Sequence, residues 1–299
     1  MTRLHTIVKL SHDHVVSHTR QLTAQRVSEP KFNRCQLACT TLAEMESIMA
    51  DITYSIADTI LHTTYSDGVA TPSKIVDYIN AQTDLRVIAV TDHDTTEGAF
   101  AARNYVSRQG IDLDVIIGQE VTTDEGDIIG LFLSATLPKY TTALEAVLAI
   151  HTQGGLAIAA HPFSYWATAT LMKGVGSQIA TLPLDGVEVR NGFPTNVFSN
   201  PLTAWKNRRH ARHSALGGSD SHVPYTAGQA FTWFPGHTAA DLRTAISEAS
   251  TRAGGTLWTP RSLARMLPVL LRSGMPSLPT APPISEERSA VPVTVNWRQ

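Results

Sequence analysis

Residues 86–94 read Arg86-Val-Ile-Ala-Val-Thr-Asp-His-Asp94, so that an apolar run passes directly into side chains able to bind a metal ion. A short apolar run of this kind is typical of a buried β-strand. The same pattern ends four other predicted strands, which carry His62 and Asp67, Glu120, His161, and Asp220 and His222. Five strand ends with the same chemistry indicate one shared site.

Helical patterns separate these strands. Thr71-Pro72 supplies a capping residue and a proline at the first helical position, a capping box begins at Thr142, and Thr238-x-x-Asp241 starts another helix. In the helix after Thr142, Leu144, Val147 and Leu148 are predicted to form the apolar stripe. Strands that alternate with helices at this spacing predict an α/β protein with a mainly parallel sheet.

The composition excludes several classes of protein. The chain has 299 residues, with 24 Lys and Arg against 26 Asp and Glu, and 42% of its residues are hydrophobic. This balance argues against a disordered chain, a coiled coil and a polybasic nucleic-acid arm. No apolar run approaches the roughly 18 residues that span a bilayer. Two cysteines and no apolar leader predict a cytoplasmic protein without membrane contact.

The residue pattern and composition divide the chain into three parts. Residues 53–255 carry the alternating pattern and are predicted to form one domain. Residues 1–52 show no sustained period and form an unassigned, irregular extension, with a short helix predicted between Leu42 and Ala50. Residues 256–299 hold seven of the 16 prolines and are predicted to be largely disordered.

The strand-end side chains predict a metal centre. In a barrel the carboxyl ends of the strands converge on one face, so that residues distant in sequence meet there. Imidazoles together with carboxylates suit manganese, zinc or iron, and a carboxylate such as Glu120 can bridge two ions. Two of the acidic residues have structural alternatives. Asp94-x-x-Glu97 also fits a helix N-cap, and Asp67 before Gly68 also fits a turn.

These motifs resemble those of the PHP (polymerase and histidinol phosphatase) superfamily. The similar segments are residues 57–68, 91–94, 118–120, 160–162 and 219–222, in that order. They are most similar to its small stand-alone metal-dependent phosphoesterases, over about residues 55–250. The resemblance implies a distorted (β/α)₇ TIM-like barrel whose two- or three-metal centre hydrolyses phosphate esters. It also implies three sites: His62, Glu120 and Asp220 in the first, Asp67, His93 and His222 in the second, and His161 with the bridging Glu120 in the third.

The chain departs from the family pattern at two positions. The family begins with His-x-His, but Ile60 occupies the first of these positions and only His62 remains. Loss of one ligand costs several kcal/mol of metal affinity, and Asp58, two residues earlier, is not expected to replace it. Asp127 stands where the family has a further histidine. It is either an oxygen ligand of the third ion or a cap of the turn after Gly126.

Other polar residues have weaker functional interpretations. Arg190 is a candidate to bind the substrate phosphate, with an ion pair to Glu188 as the alternative. His151 is expected to be a core histidine, and residues 206–213 the solvated face of a helix, with a weaker possibility of phosphate contact. His12-Asp-His14 is expected to be solvated, and Cys35 with Cys39 is not a zinc motif.

The sequence therefore predicts a metal-dependent phosphoesterase that binds one to three divalent ions, Mn, Zn or Fe. Its predicted partners are a small phosphorylated metabolite, a nucleotide or a short nucleic acid, attacked by a metal-bound hydroxide. No protein partner is identifiable. The alternative, motivated by Ile60, is a degenerate barrel that binds a ligand or partner without catalysis.

Overall fold

The computed structural model describes residues 53–164, 173–262, 264 and 265. They contain one nine-stranded sheet and five α-helices. The strands are β1 (Tyr54–Leu61), β2 (Leu85–Val90), β3 (Asp114–Val121), β4 (Ile128–Leu131), β5 (Leu156–Ala159), β6 (Gly186–Asn191), β7 (Ser214–Gly218), β8 (Ala230–Pro235) and β9 (Arg252–Gly255). The helices are α1 (Pro72–Gln82), α2 (Glu97–Gln109), α3 (Ala143–Thr152), α4 (Ser199–Lys206) and α5 (Ala239–Ser247).

The sheet is mixed, and the prediction of a mainly parallel sheet is wrong. Its order is β7-β6-β5-β4-β3-β2-β1-β8-β9. The pairs β1–β2, β2–β3, β5–β6 and β6–β7 are parallel, whereas β3–β4, β4–β5, β1–β8 and β8–β9 are antiparallel. The segment between Val121 and Ile128 explains the reversal at β4, because it is too short for the crossover that parallel strands need.

The sheet curls until β7 approaches β1. Leu61 forms a parallel bridge with Ser221, just beyond β7. The Thr59 hydroxyl donates to the carbonyl of Gly217 at 3.3 Å, and Thr232 on β8 donates to the same carbonyl at 2.8 Å. The result is a nearly closed, barrel-shaped sheet, which confirms the predicted α/β barrel class.

Alternate residues of the strands face two apolar clusters. On β2, Val87 and Ala89 join the cluster that contains Ile60, whereas Ile88 and Val90 join a second one. The second cluster also takes the buried side chains of α1, namely Ile75, Val76 and Ile79. As predicted, α1 begins with Thr71 as its N-cap and Pro72 at its first position. The sheet is therefore apolar on both faces, as expected for an α/β fold.

Helix α3 confirms one prediction and corrects two. The capping box of Thr142 and Glu145 is present. Leu144 and Leu148, however, are 46% and 52% exposed, and the buried face consists of Ala143, Ala146, Val147 and Ile150. The core position predicted for His151 is also wrong. The His151 side chain is one-third exposed, and its Nε2 lies 2.8 Å from Asp185 Oδ2.

The basic run behaves as a solvated surface. Helix α4 ends at Lys206 and continues as a π-helical turn over Asn207–Ala211, in which Arg208, Arg209 and His210 are exposed. The helix predicted at residues 42–50, the histidines at 12 and 14, the cysteines, and the tail beyond residue 265 lie outside the described residues. The boundaries at residues 53 and 255 stay predictions. Within the described part of the chain, no helix is both long and apolar enough to cross a membrane.

Candidate metal centre

The eight predicted ligands come together at the strand ends. His62, His93 and His161 follow β1, β2 and β5, while Asp220 and His222 follow β7. Their ligand atoms form three overlapping groups, within each of which the atoms lie within 4.8 Å of one another. The groups are His62, Glu120 and Asp220; His62, Asp67, His93 and His222; and Glu120, Asp127 and His161.

His62 stands at the centre of the first group. Its Nε2 lies 3.2 Å from Glu120 Oε2 and 3.3 Å from Asp220 Oδ1, and all three side chains are buried. Among the described residues, neither ring nitrogen of His62 has a hydrogen-bond partner. Burial alone would lower the pKa of His62, but the carboxylates of Asp220 and Glu120 raise it well above its usual value. The surroundings therefore favour a positive charge between these three side chains.

The second group forms the open side of the centre. His222 Nε2 lies 3.1 Å from Asp67 Oδ2, and His93 Nε2 lies 3.8 Å from the same oxygen. Burial alone would raise the pKa of Asp67, but the hydrogen bond to His222 and the nearby histidines hold it well below its usual value. The ring of His62 stacks on that of His222, with centroids 4.3 Å apart. Close imidazoles of this kind repel each other when protonated, so a shared cation suits them better than separate protons do.

The third group places Asp127 against Glu120 and His161. His161 Nε2 lies 3.1 Å from Glu120 Oε1. Asp127 is buried, and burial together with the charge of Glu120 raises its pKa to about 8. The turn before it is held by Thr123, whose hydroxyl donates to the carbonyl of Gly126 at 2.6 Å. Asp127 is therefore not needed as a cap of this turn, which favours its interpretation as a ligand.

Two of the candidate ligands have strained backbone conformations. His161 and Asp220 have φ values of 25° and 52°, in the left-handed region that residues other than glycine rarely adopt. Each such residue costs about 1–3 kcal/mol and persists only where its surroundings hold it. Their strain therefore agrees with a functional role for the strand ends after β5 and β7.

Asp92 is buried and fixes the loop after β1, a role that the sequence analysis did not predict. Asp92 Oδ1 accepts hydrogen bonds from the backbone N–H of Thr63 and the hydroxyl of Ser66, both at 2.7 Å. Its Oδ2 accepts from the hydroxyl of Thr63 at 2.7 Å. This bonding sets the path of the loop and so positions His62 and Asp67.

Glu188 and Asn191 on β6 hold the opposite side of the centre. Glu188 Oε2 accepts from the backbone N–H of His161 at 2.7 Å and from Asn191 Nδ2 at 3.2 Å. Asn191 Nδ2 also lies 3.1 Å from Asp220 Oδ2. Burial raises the pKa of Glu188 to about 8. The contacts of Asn191 Nδ2 with Glu188 and Asp220 make this residue a support for Asp220.

Arg190 does not join the eight ligands. A β-bulge between Glu188 and Arg190 interrupts the alternation of β6. Arg190 lines a groove of about 290 Å³ with Val197, Asn200, Ala204 and three further residues, and none of the eight candidate ligands lines it. No described ion pair joins Arg190 to Glu188 either.

Two other acidic residues have structural roles. The N-cap predicted at Asp94 is wrong, because α2 begins after Thr96. Asp94 instead accepts from the backbone N–H of Thr122 at 2.9 Å and pairs with Lys139 at 3.2 Å. Asp58 does not replace the missing ligand at position 60, as expected, since it lies in none of the three groups.

The donor set fits divalent cations. Four imidazoles and four carboxylates converge here, and nitrogen and oxygen ligands together suit Mn, Zn or Fe. The buried His62 nitrogens are further evidence, because they lie near carboxylates yet form no well-aligned hydrogen bond within the described part of the chain, whereas buried polar atoms ordinarily have partners. His62 and Glu120 each belong to two groups, so they are placed to hold neighbouring ions.

Comparison with known proteins identifies the family. A family model described as PHP-associated matches residues 202–251. An uncharacterised protein of Methanocaldococcus jannaschii is 38% identical over 157 residues, which cover 49% of this chain and 87% of that protein. The 5′-3′ exoribonuclease Rnm of Salmonella typhimurium is 38% identical over 101 residues, 31% of this chain and 33% of the enzyme.

A solved structure supports the same assignment at the level of the fold. A two-domain protein from Bacteroides vulgatus, described as containing a predicted PHP-like metal-dependent phosphoesterase, superposes with a TM-score of 0.56 at 19% identity. The match covers 73% of this chain and 70% of that one. With the motif order, the barrel-shaped sheet and the clustered ligands, these comparisons show that the chain belongs to the PHP superfamily.

Proposed function

We propose that this protein is a metal-dependent phosphoesterase that acts on a nucleotide, a short oligonucleotide or a small phosphorylated metabolite. The observation that carries the proposal is the overlap of the three ligand groups through His62 and Glu120. Overlapping groups would hold cations side by side, and adjacent cations are an arrangement that enzymes of phosphoryl transfer use. The match to part of exoribonuclease Rnm supports a phosphate ester as the substrate.

The candidate ligands differ in burial, and this difference indicates their roles. Divalent ions, when bound, activate water and neutralise phosphoryl oxygens. His62, Glu120 and Asp220 are buried and hold their positions without competition from solvent. Asp67, His93 and His222 keep 20–24% of their side-chain surface exposed, so the phosphate approaches from their side. Hydrolysis then replaces the bond between phosphorus and the leaving oxygen by a bond from a water oxygen, and the leaving alcohol takes up a proton.

Phosphate release from a substrate panel tests this proposal. We expect the protein with added Mn²⁺ to hydrolyse a nucleotide or an aryl phosphate. Asp220→Asn and His93→Ala should each lower kcat/KM by more than about 100-fold, since loss of even an outer-shell partner costs 10–100-fold. Asp112→Asn, at an exposed ion pair, and His151→Ala, beside Asp185, are matched controls and should keep activity. Full turnover in both ligand variants would contradict the assignment of the centre.

The alternative is a barrel that binds a phosphorylated ligand without turnover, and Ile60 is the observation that favours it. Ile60 is buried and apolar at the position where the family has a ligand. Metal analysis separates the two functions. Less than about half an ion per chain after dialysis against Mn²⁺, together with no phosphate release, would favour the non-catalytic barrel.

A further inference from the structure

We propose that Phe193 is a specificity-determining residue, whose ring stacks on a planar ring of the substrate, a nucleobase, beside the metal centre. The inference rests on the proposed function and narrows its substrate class to nucleotides. It follows from three features: the side on which the metal centre is open, the contacts that fix Phe193, and the partial exposure of this residue.

The centre is open on the side that Phe193 borders. Asp67, His93 and His222 are the partly exposed members of the ligand set. The ring of Phe193 lies edge-on to the ring of His222, with centroids 6.3 Å apart and an interplanar angle of 75°. A substrate whose phosphate reaches His222 therefore has an aromatic side chain next to its leaving group.

Trp258 supports the Phe193 ring from one side. The two ring centroids are 4.6 Å apart. Trp258 is 4% exposed, its Nε1 donates to the carbonyl of Ser219 at 2.7 Å, and its backbone N–H donates to the carbonyl of Gly192 at 2.7 Å. Ser219 directly precedes the candidate ligand Asp220. The aromatic pair is thus tied to the strand end that carries part of the metal centre.

The backbone of Phe193 is fixed to the same network. Its N–H donates to Asn191 Oδ1 at 2.8 Å, and Asn191 also contacts Asp220. Phe193 itself is only half-buried, although Trp258 covers part of it. A ring that served only to fill the core would be buried. A partly exposed aromatic side chain held at the mouth of a phosphoesterase site has the properties of a stacking surface, which contributes about 1–3 kcal/mol per base.

The test compares two phosphate monoesters that differ in the presence of a base. Adenosine 5′-monophosphate and glycerol 3-phosphate carry the same reacting group. Phe193→Leu keeps the apolar volume but removes the aromatic face, and should lower kcat/KM for the nucleotide by about 5- to 100-fold. Hydrolysis of glycerol 3-phosphate should change less than about twofold. Phe193→Tyr should restore the nucleotide activity, and Phe100→Leu, on a half-buried ring of α2, is the matched control.

Binding measurements separate this inference from the proposed function. Titration calorimetry of the Mn²⁺-loaded protein gives the affinity for each compound where turnover does not occur. If no compound of the panel is hydrolysed, the phosphoesterase proposal fails, and weaker binding of the nucleotide alone in Phe193→Leu still supports stacking. An equal loss for both compounds, or unchanged nucleotide affinity and kcat/KM, would overturn the role of Phe193.

Discussion

Ile60 packs directly against Gly218, so closely that a Cβ atom on Gly218 would lie 2.8 Å from Cγ1 of Ile60. The two residues lie on β1 and β7, where the barrel-shaped sheet comes near to closing. Ile60 is 1% exposed and belongs to the apolar cluster of the barrel. The position of the family's first histidine is therefore filled by a packed apolar side chain.

Ile60→His is expected to tighten Mn²⁺ binding. The position precedes His62 by two residues along the same strand direction, so the new imidazole faces the same side of the sheet. In the metal-free protein the substitution should lower the free energy of unfolding by about 1–3 kcal/mol, because it buries a polar ring. Calorimetric titration with Mn²⁺ and urea unfolding in the presence of a chelator measure the two effects.

Ile60→Val provides the control for this substitution. It should cost about 0.5–1.5 kcal/mol of stability and leave metal affinity unchanged. If Ile60→His binds Mn²⁺ no better than Ile60→Val, the packing around position 60 keeps the new imidazole away from the first ligand group. The centre would then depend on the remaining ligands alone.

Asn191→Ala is expected to weaken metal binding although Asn191 is not itself a candidate ligand. The substitution removes the donor to Asp220 and Glu188 and the acceptor for Phe193. Loss of such a supporting partner typically lowers metal affinity by 10- to 100-fold. Calorimetric titration with Mn²⁺ measures the change.

Asn207→Ala is the matched control for Asn191→Ala. Asn207 is also buried, and its side chain makes two hydrogen bonds, to the N–H and C=O of His213. Both variants should lose stability, but Asn207→Ala should bind Mn²⁺ like the wild type. Equal metal affinity in the two variants would mean that Asp220 keeps its position without Asn191.

The grouping of the candidate ligands was predictable from the sequence because most of them lie at or just after the end of an apolar run that folds as a strand. The strand ends carry the chemistry, and the barrel brings them together whatever their separation in the chain. The residues that support the ligands were harder to find. A bulge on β6 lies between Glu188 and Asn191, and a bulge changes which side chains face inward in a way that simple alternation does not reveal.

The fold was predictable where local signals agree with packing. Thr71, Thr142 and Thr238 are N-caps as predicted, because their hydroxyls accept from backbone N–H groups at the helix start. Strands β8 and β9 were not predicted. Arg252–Gly255 contains two glycines and no long apolar side chain, and its strand conformation depends on pairing with β8. The exposure of Leu144 was not predictable either, because smaller neighbouring residues occupy the buried face of α3.

Asp127→Asn is expected to remove one ion per chain without abolishing metal binding. Asp127 shares its group with Glu120 and His161, whereas the two groups around His62 do not include it. An amide is a weaker ligand than a carboxylate for a divalent cation. Elemental analysis after dialysis against Mn²⁺ should show the lower stoichiometry.

Asp124→Asn is the control, because Asp124 lies three residues away and is exposed. It should keep the full metal content. Unchanged stoichiometry in Asp127→Asn would show that Glu120 and His161 hold their ion without the third ligand, or that no ion binds there.

The stability of the metal-free protein should depend on pH through Asp58. Burial raises the pKa of Asp58 to about 6 from 3.8, and the hydrogen bonds from the N–H groups of Ser219 and Gly228 oppose that shift. Between these two pH values the folded state binds more protons at Asp58 than the unfolded state does. The contribution of Asp58 to the free energy of unfolding therefore falls as pH rises through this window, by up to about 3 kcal/mol.

Comparison of the wild type with Asp58→Asn isolates this contribution, because the amide does not ionise. Urea unfolding with a chelator present should show that the wild type loses stability relative to Asp58→Asn as pH rises from about 4.5 to 7. Asp112→Asn, whose parent side chain is 94% exposed, should show a constant difference from the wild type over the same range. A constant difference for Asp58→Asn as well would mean that the backbone donors fully offset the cost of burying the ionised carboxylate.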